Sequence, residues 1–145
     1  MIRRYGAADV DESSILPVIG TKELVAGLPF QLGVGEGHTV VIPEVAYPTY
    51  DVGARLAGAT PRPMRNLTEF GPEVPKLLWL NSPSNPTGRV LPVDHLRKVV
   101  GWARERGVLV ASDECYLGLP WSAEPLSVLD PRVCGEDMTN LLGKR

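Results

Sequence analysis

Short apolar runs alternate along the chain with segments that have the spacing of amphipathic helices, and this alternation is the strongest constraint on the fold. Three runs are continuous and apolar enough to be buried strands: Thr39–Ile42, Leu77–Leu80 and Val108–Ser112. Thr60–Met64 is a weaker strand candidate because prolines interrupt it. Strands that alternate with helices predict a three-layer α/β fold with a mostly parallel sheet flanked by helices, whose ligands bind at the carboxyl ends of the strands.

Three helices are predicted around these strands. The first begins at Thr21, whose hydroxyl is suited to capping free amides, and Pro29 is expected to kink or shorten it. The second covers Pro48 to Ala57, with Gly58 as its C-terminal cap. The third covers Val93 to Arg106 and ends before a glycine. Its apolar positions follow helical spacing: Leu96, Val99, Val100 and Ala103.

Composition excludes several classes of protein. Of the 145 residues, 43% are hydrophobic and 22% are charged, which is typical of a globular domain and not of a disordered or collagen-like chain. The formal net charge of −2 leaves no basic excess for nucleic acid or anionic lipid, so we expect neither as a partner. No apolar run approaches the ~20 residues of a membrane helix, and no signal peptide is visible, so a cytoplasmic protein is expected.

The cysteines and histidines do not have the spacing of a metal site. Cys115 and Cys134 lack a Cys-x-x-Cys arrangement, which argues against a disulfide framework and against a thiolate zinc site. His38 and His95 each stand alone, so no histidine-based metal site is expected.

Two further motifs fail on chemical grounds. The glycine cluster at 33–37 is not a dinucleotide fingerprint, because His38 occupies the third glycine position and a strand follows where a helix should begin. Asp113 and Glu114 are neighbours on a strand and therefore point to opposite faces, so they cannot share a substrate proton.

Four features lie where ligands of an α/β sheet bind, and each has an ordinary structural explanation when taken alone. Residues 20–22 open a helix, where free amides attract an anion, but every capped helix has such a start. Tyr47 follows the first strand, and a tyrosine there can simply pack in the core. The loop from Asn81 to Gly88 could be a plain proline turn, and Asp113 could cap a loop.

Taken in order, these features resemble the class I and II aminotransferases, which are pyridoxal-phosphate enzymes of fold type I. The likeness runs from about Pro17 to Tyr116. Its most specific part is Asn-Pro-Thr-Gly, starting at Asn85, followed 28 residues later by Asp-x-x-Tyr. The segments at 16–24 and 43–50 look most like the succinyldiaminopimelate aminotransferase branch.

The resemblance implies a cofactor-binding role for these residues. Asp113 matches the aspartate that pairs with the pyridine nitrogen and keeps it protonated, so that the ring accepts electrons from the substrate. Asn85 and Tyr116 match the pair that binds the ring's phenolic oxygen, and Tyr47 matches the aromatic residue stacked on the ring. Three residues match the phosphate cup: Gly20, Thr21 and Lys22. Pro86 matches a proline that often follows a cis bond, which would direct Asn85 inward.

The resemblance also implies what lies outside the match. Residues 1–145 correspond to a partial cofactor-binding (large) domain, without the N-terminal arm and the C-terminal small domain. Met138–Leu142 resembles the strand that precedes the lysine forming a Schiff base with the cofactor, but the serine-bearing loop of that lysine is missing. Lys144 would take its place only after a short deletion, so we assign no catalytic residue, and turnover by the isolated chain is not expected.

The function implied is a truncated aminotransferase that moves an amino group between an amino acid and a 2-oxo acid, with pyridoxal 5'-phosphate as cofactor. The narrower branch would imply N-succinyl-diaminopimelate and lysine biosynthesis, and the full-length family implies a homodimer. A non-catalytic remnant or pseudo-subunit that keeps only the cofactor cup is the alternative. A nucleotide-binding α/β domain is a weaker alternative because no phosphate loop or dinucleotide fingerprint is present.

Overall fold

The computed structural model describes residues 10–144, and within that range it has one five-stranded sheet and four α-helices. The strands are β1 (Thr39–Pro43), β2 (Thr60–Met64), β3 (Leu77–Asn81), β4 (Leu109–Asp113) and β5 (Leu141–Lys144). The helices are α1 (Thr21–Gln31), α2 (Thr49–Leu56), α3 (Val93–Arg106) and α4 (Pro131–Cys134). Two short 3-10 turns cover Glu12–Ser14 and Leu67–Phe70.

The five strands form a single parallel sheet in the order β2-β1-β3-β4-β5. From β1 the chain moves outward to β2 and then crosses back to β3 on the other side of β1. The strand order therefore reverses between β1 and β3, and ligands of open α/β sheets bind in the crevice beyond such a reversal. The register pairs Asn81 with Asp113, so β3 and β4 end side by side at that edge.

Helices cover both faces of the sheet, which is why its central strands are apolar without alternation. On one face, Val40 and Trp79 pack in a core with Val25 of α1 and Tyr50 of α2. On the other face, Val41, Leu78 and Val110 pack against the apolar side of α3, which consists of Leu96, Val99, Val100 and Ala103. The predicted three-layer α/β fold is confirmed.

Most predicted elements are present, with corrections at their ends. The helix from Val93 to Arg106 is confirmed, and α1 begins at Thr21 as predicted. The Thr21 hydroxyl does not cap α1, because Thr21 is already helical and Gly20 is the N-cap residue, without a side-chain hydrogen bond. Pro29 lies inside α1, which ends two residues later at Gln31.

The strand predicted at Met138–Leu142 begins only at Leu141. Asn140 has a φ of 64°, and the Leu141 amide donates to the Met138 carbonyl at 3.2 Å, so the residues before the strand form a turn. The helix α4 was not predicted, since four residues are too few to show a period of 3.6. No helix within residues 10–144 is long and apolar enough to cross a membrane.

Candidate cofactor-binding site

A cleft of about 150 Å³ lies at the carboxyl edge of the sheet, between the start of α1 and the segments that follow β1, β3 and β4. Its lining is Thr21, Lys22, Tyr47, Tyr50, Asn81, Asn85, Asp113, Cys115 and Tyr116. Six of the seven residues selected from the sequence thus face one space. The seventh, Gly20, is the residue immediately before α1 and does not line the cleft.

Asp113 is the last residue of β4 and is only 3% exposed. Its Oδ2 accepts a hydrogen bond from the Tyr50 hydroxyl at 2.9 Å, and its Oδ1 accepts one from the Cys115 amide at 3.3 Å. Its backbone carbonyl accepts from Nδ2 of Asn81 at 2.9 Å. The carboxylate is therefore buried and oriented at the edge of the cleft, where a cationic group of a ligand would relieve the cost of burying its charge.

Glu114 lies on the other side of the strand, as alternation predicts. Its Oε1 accepts a hydrogen bond from the Val128 amide at 2.8 Å, and Val128 belongs to the core that packs on α3. Asp113 instead bonds to Tyr50, which belongs to the opposite core. The two carboxylates are separated by the sheet, and the exclusion of a carboxylate dyad is confirmed.

The loop after β3 is held by the side chain of Asn81. Its Oδ1 accepts from the Asn85 amide at 2.7 Å, and its Nδ2 donates to the Pro83 carbonyl at 3.3 Å as well as to Asp113. The Asn85 Nδ2 in turn donates to the Tyr116 hydroxyl at 3.5 Å. The Asn85–Pro86 bond is cis, as the resemblance implied, and the Ser82–Pro83 bond is cis too. Asn85 and Tyr116 therefore face the cleft as a pair.

Three aromatic rings connect the cleft to the core. Tyr50 stacks on Trp79 with ring centroids 4.9 Å apart, and Tyr47 meets Tyr50 edge-on at 5.9 Å. Burial, followed by the negative charge of Asp113, raises the pKa of the Tyr50 phenol far above its usual value. The neighbouring Cys115 sulfur and then partial burial raise the pKa of Tyr116. Both phenols are therefore neutral at pH 7, and Tyr50 is a hydrogen-bond donor.

The start of α1 also lines the cleft, through Thr21 and Lys22. Gly20 has an extended backbone, and its carbonyl accepts the first helical bond, from the Leu24 amide at 3.1 Å. The Glu23 carboxylate folds back against Gly20, where a side chain in place of the glycine hydrogen would collide with it. The amides of a first helical turn and the ammonium of Lys22 favour an anionic group at the start of α1.

The cleft thus combines a buried carboxylate with a helix N-terminus, a lysine and a threonine. Phenols and an amide complete its lining. This donor set suits a flat ligand with a basic ring nitrogen, a hydroxyl or phenolate oxygen, and an anionic arm such as a phosphate. Among residues 10–144, no cluster of three or more histidine, cysteine or acidic side chains is arranged to bind a metal ion.

Sequence reasoning missed three lining residues: Tyr50, Asn81 and Cys115. Two of them carried a usable signal. Asn81 ends a buried strand next to another strand end, where a polar side chain needs a partner. Tyr50 lies in the first turn of the predicted helix, three residues after Tyr47 and close to the strand end where ligands bind.

Comparison with known proteins identifies close relatives. The family model "Aminotransferase class I and II" matches residues 1–134. A protein named "probable aminotransferase" from Mycobacterium tuberculosis is 66% identical over 142 residues, which is 98% of this chain and 34% of that protein. The 4-dedimethylamino-4-oxo-anhydrotetracycline transaminase of Streptomyces rimosus is 52% identical over 141 residues, 97% of this chain and 39% of that protein. The chain therefore spans between about a third and two-fifths of these relatives' length.

Solved structures share the fold. The N-succinyldiaminopimelate aminotransferase from Mycobacterium tuberculosis superposes with a TM-score of 0.83 at 25% identity, over 98% of this chain and 40% of that one. The sheet and its flanking helices therefore have the same arrangement in both proteins.

Proposed function

The chain belongs to the class I and II aminotransferases, and on that premise we propose that it forms the cofactor-holding part of a pyridoxal-phosphate-dependent aminotransferase. Pyridoxal phosphate is the cofactor of this family. The observation that carries the proposal is the cleft that a buried carboxylate, Asp113, lines together with the N-terminus of α1. Residues 1–145 would then be part of the large domain of such an enzyme.

Asp113 is proposed to bind the protonated ring nitrogen of the cofactor. When bound, pyridoxal phosphate supplies an electron sink for the substrate's α-carbon, and a carboxylate at the ring nitrogen keeps the proton there. Asp113 is suited to this because it is buried, and its two oxygens are oriented by Tyr50 and by the Cys115 amide.

The remaining groups are proposed to orient the cofactor. Asn85 and Tyr116, which are hydrogen-bonded to each other, would donate to the ring's phenolic oxygen. The ring of Tyr47 would stack on the pyridine. Thr21 and Lys22 at the start of α1, with the backbone at Gly20, would hold the phosphate, since helical amides and an ammonium group complement its charge.

The proposed reaction is transfer of an amino group between an amino acid and a 2-oxo acid. N-succinyl-diaminopimelate is the proposed substrate, supported by the likeness to an aminotransferase named for it. The transaminase that is 52% identical is named for 4-dedimethylamino-4-oxo-anhydrotetracycline, and this ketone is the second candidate substrate. We further propose a cytoplasmic homodimer, with both cysteines as free thiols.

The first experiment is a titration of the purified chain with pyridoxal phosphate, followed by the cofactor's visible absorbance. We expect saturable binding that inorganic phosphate weakens by competition. Lys22→Ala and Asp113→Ala should each lower the affinity about tenfold or more, because each removes a charged contact. Glu105→Gln, an exposed change on α3, is the control that should bind as the parent does. Absence of saturable binding would contradict the proposal.

The second experiment tests catalysis in a chimera. The matching 142 residues of the Mycobacterium tuberculosis relative are replaced by this chain, so that all other segments come from a protein that is 66% identical in the exchanged part. Amino transfer from N-succinyl-diaminopimelate would support the proposed substrate. Transfer only to 4-dedimethylamino-4-oxo-anhydrotetracycline would favour the second candidate substrate. A chimera that binds the cofactor and transfers no amino group from a panel of amino acids would point to a non-catalytic part.

A further inference from the structure

Tyr50 lines the candidate site, and the function proposed above uses it only as a hydrogen-bond donor to Asp113. We propose that Tyr50 is a positioning residue, which holds the Asp113 carboxylate in place and directed at the cofactor's ring nitrogen. This inference rests on the proposed function, since it assigns to Asp113 the ring nitrogen as its partner. It concerns a residue that acts only through Asp113 and not by contact with the reacting atoms.

The first argument is the geometry of the hydrogen bond. Tyr50 lies in the first turn of α2, and Asp113 is the last residue of β4. The hydrogen bond of 2.9 Å between them therefore joins two residues that are 63 positions apart in sequence. The Tyr50 side chain is fully buried, and Asp113 is 3% exposed. A donor that is buried against a carboxylate cannot turn away to water, so it fixes the rotamer of that carboxylate.

The second argument is that the phenol is itself fixed. Its ring stacks on Trp79 at 4.9 Å with 23° between the planes, and the edge of Tyr47 contacts it at 5.9 Å with 84° between the planes. Trp79 is 1% exposed and lies on β3, in the centre of the sheet. The position of the Tyr50 oxygen is therefore determined by rigid packing and not by the hydrogen bond alone.

The third argument is electrostatic. A hydrogen bond donated to the charged form of an acid stabilises that form. Tyr50 stays a donor throughout the physiological range, because burial and the charge of Asp113 raise its pKa well above neutrality. The carboxylate that accepts this hydrogen bond would then be directed to accept the N–H of a protonated ring nitrogen, the charge state that makes the ring an electron acceptor.

The positioning role predicts an effect on ligand binding that general support of the fold would not produce. If Tyr50 acts through Asp113 on the ring nitrogen, its hydroxyl matters only for a ligand that has this nitrogen. The test therefore compares pyridoxal phosphate with the analogue in which a carbon replaces the ring nitrogen. The analogue keeps the phosphate, the phenolic oxygen and the flat ring, so all other proposed contacts remain available to it.

The experiment measures the affinity of both ligands for the purified chain and for two matched variants. Tyr50→Phe should weaken binding of pyridoxal phosphate about tenfold and leave binding of the analogue within about twofold of the parent. Tyr116→Phe is the control with the same chemical change in the same cleft. Because Tyr116 is proposed to face the phenolic oxygen, this variant should weaken both ligands equally and leave their ratio unchanged.

Several outcomes would overturn the positioning role of Tyr50. A Tyr50→Phe variant that keeps the parent's preference for pyridoxal phosphate, or that loses both ligands equally, overturns the positioning role. A parent chain that binds neither ligand, or that shows no preference for the nitrogen, overturns the proposed function and this inference with it. If Tyr50→Phe does not fold, Trp79→Phe replaces it, because it alters the ring on which Tyr50 stacks and leaves the donors to Asp113 in place. It should reduce the preference for the nitrogen, and an unchanged preference overturns the role.

Discussion

At the scale of single residues, the site depends on one buried charge and on the groups that compensate for it. Asp113 would be costly to bury without partners, and it receives a phenol and a backbone amide as donors. The sequence identified Asp113 by its place at the end of an apolar run. It could not identify Tyr50 as the partner, because a contact between residues 50 and 113 exists only once α2 has packed on the sheet.

The first prediction separates the charge of Asp113 from its shape. In the chimera, Asp113→Asn should lower kcat by about a hundredfold or more, because the charge at the ring nitrogen matters most as negative charge develops on the substrate's α-carbon. Cofactor affinity should fall by only about tenfold, because the proposed phosphate and phenolic-oxygen contacts are kept. Steady-state kinetics and a cofactor titration check this, and an unchanged kcat would show that Asp113 is not the nitrogen's partner.

The second prediction follows from the phenol of Tyr50. Its pKa is raised in the folded protein, whereas in the unfolded chain the phenol has its ordinary pKa of about 10. Above pH 10 the unfolded chain therefore loses a proton that the folded chain still holds. The free energy of unfolding should not change with the titration of Tyr50 below pH 10 and should fall as the pH rises above 10. Urea titrations at pH 8 and above pH 10 measure the decline, which should be smaller in Tyr50→Phe. An equal decline in both proteins would contradict the assignment.

At the scale of elements, the sequence predicted whatever rests on local periodicity. The strands β1 and β3 are recognisable as short continuous apolar runs, and the helix α3 by apolar residues with a period of 3.6. The predicted start of β5 was wrong because no pattern in the neighbouring sequence indicates the turn at Asn140. The missing hydroxyl cap at Thr21 has a similar cause, since the choice between Gly20 and Thr21 as N-cap depends on how the chain enters the helix.

The third prediction concerns the C-terminus of α3. Gly107 has a φ of 66°, a conformation that costs a residue with a Cβ about 1 kcal/mol. Gly107→Ala should lower the free energy of unfolding by about that amount. Gly101→Ala is the matched control within the same helix, because nothing lies within 4 Å of the added Cβ. There alanine should raise the free energy of unfolding by a few tenths to about 1 kcal/mol. Denaturant titrations check both signs, and a loss of equal size at Gly101 would refute the argument.

At the scale of the whole molecule, the cleft exists because distant segments meet where the strand order reverses. Its lining extends from Thr21 to Tyr116, and two of its charged residues belong to different layers: Lys22 to a helix and Asp113 to the sheet. The sequence predicted that these residues meet at one edge, since parallel strands share a carboxyl edge. It could not predict their spacing, which depends on how closely α1 approaches α2 and the sheet.

The fourth prediction tests that spacing through Gly53, where α2 meets α1. A Cβ on Gly53 would lie 2.9 Å from the Ala26 carbonyl oxygen and 3.0 Å from the Ala26 Cα, so α1 would have to move away. We expect Gly53→Ala to lower the free energy of unfolding by about 1–3 kcal/mol, the usual cost of overpacking. Because α1 carries Thr21 and Lys22, the same shift should weaken binding of pyridoxal phosphate more than binding of a phosphate-free pyridoxal.

Gly27→Ala on α1 is the matched control for this prediction. Its added Cβ meets only the flexible end of Gln31 at 3.8 Å, so the two helices can keep their distance. Stability and both affinities should then stay at or above the parent's, since alanine favours the helix. If Gly53→Ala weakens both forms of pyridoxal equally, the position of α1 does not set the phosphate contact. The anion-binding part of the cleft would then have to be sought away from the first turn of α1.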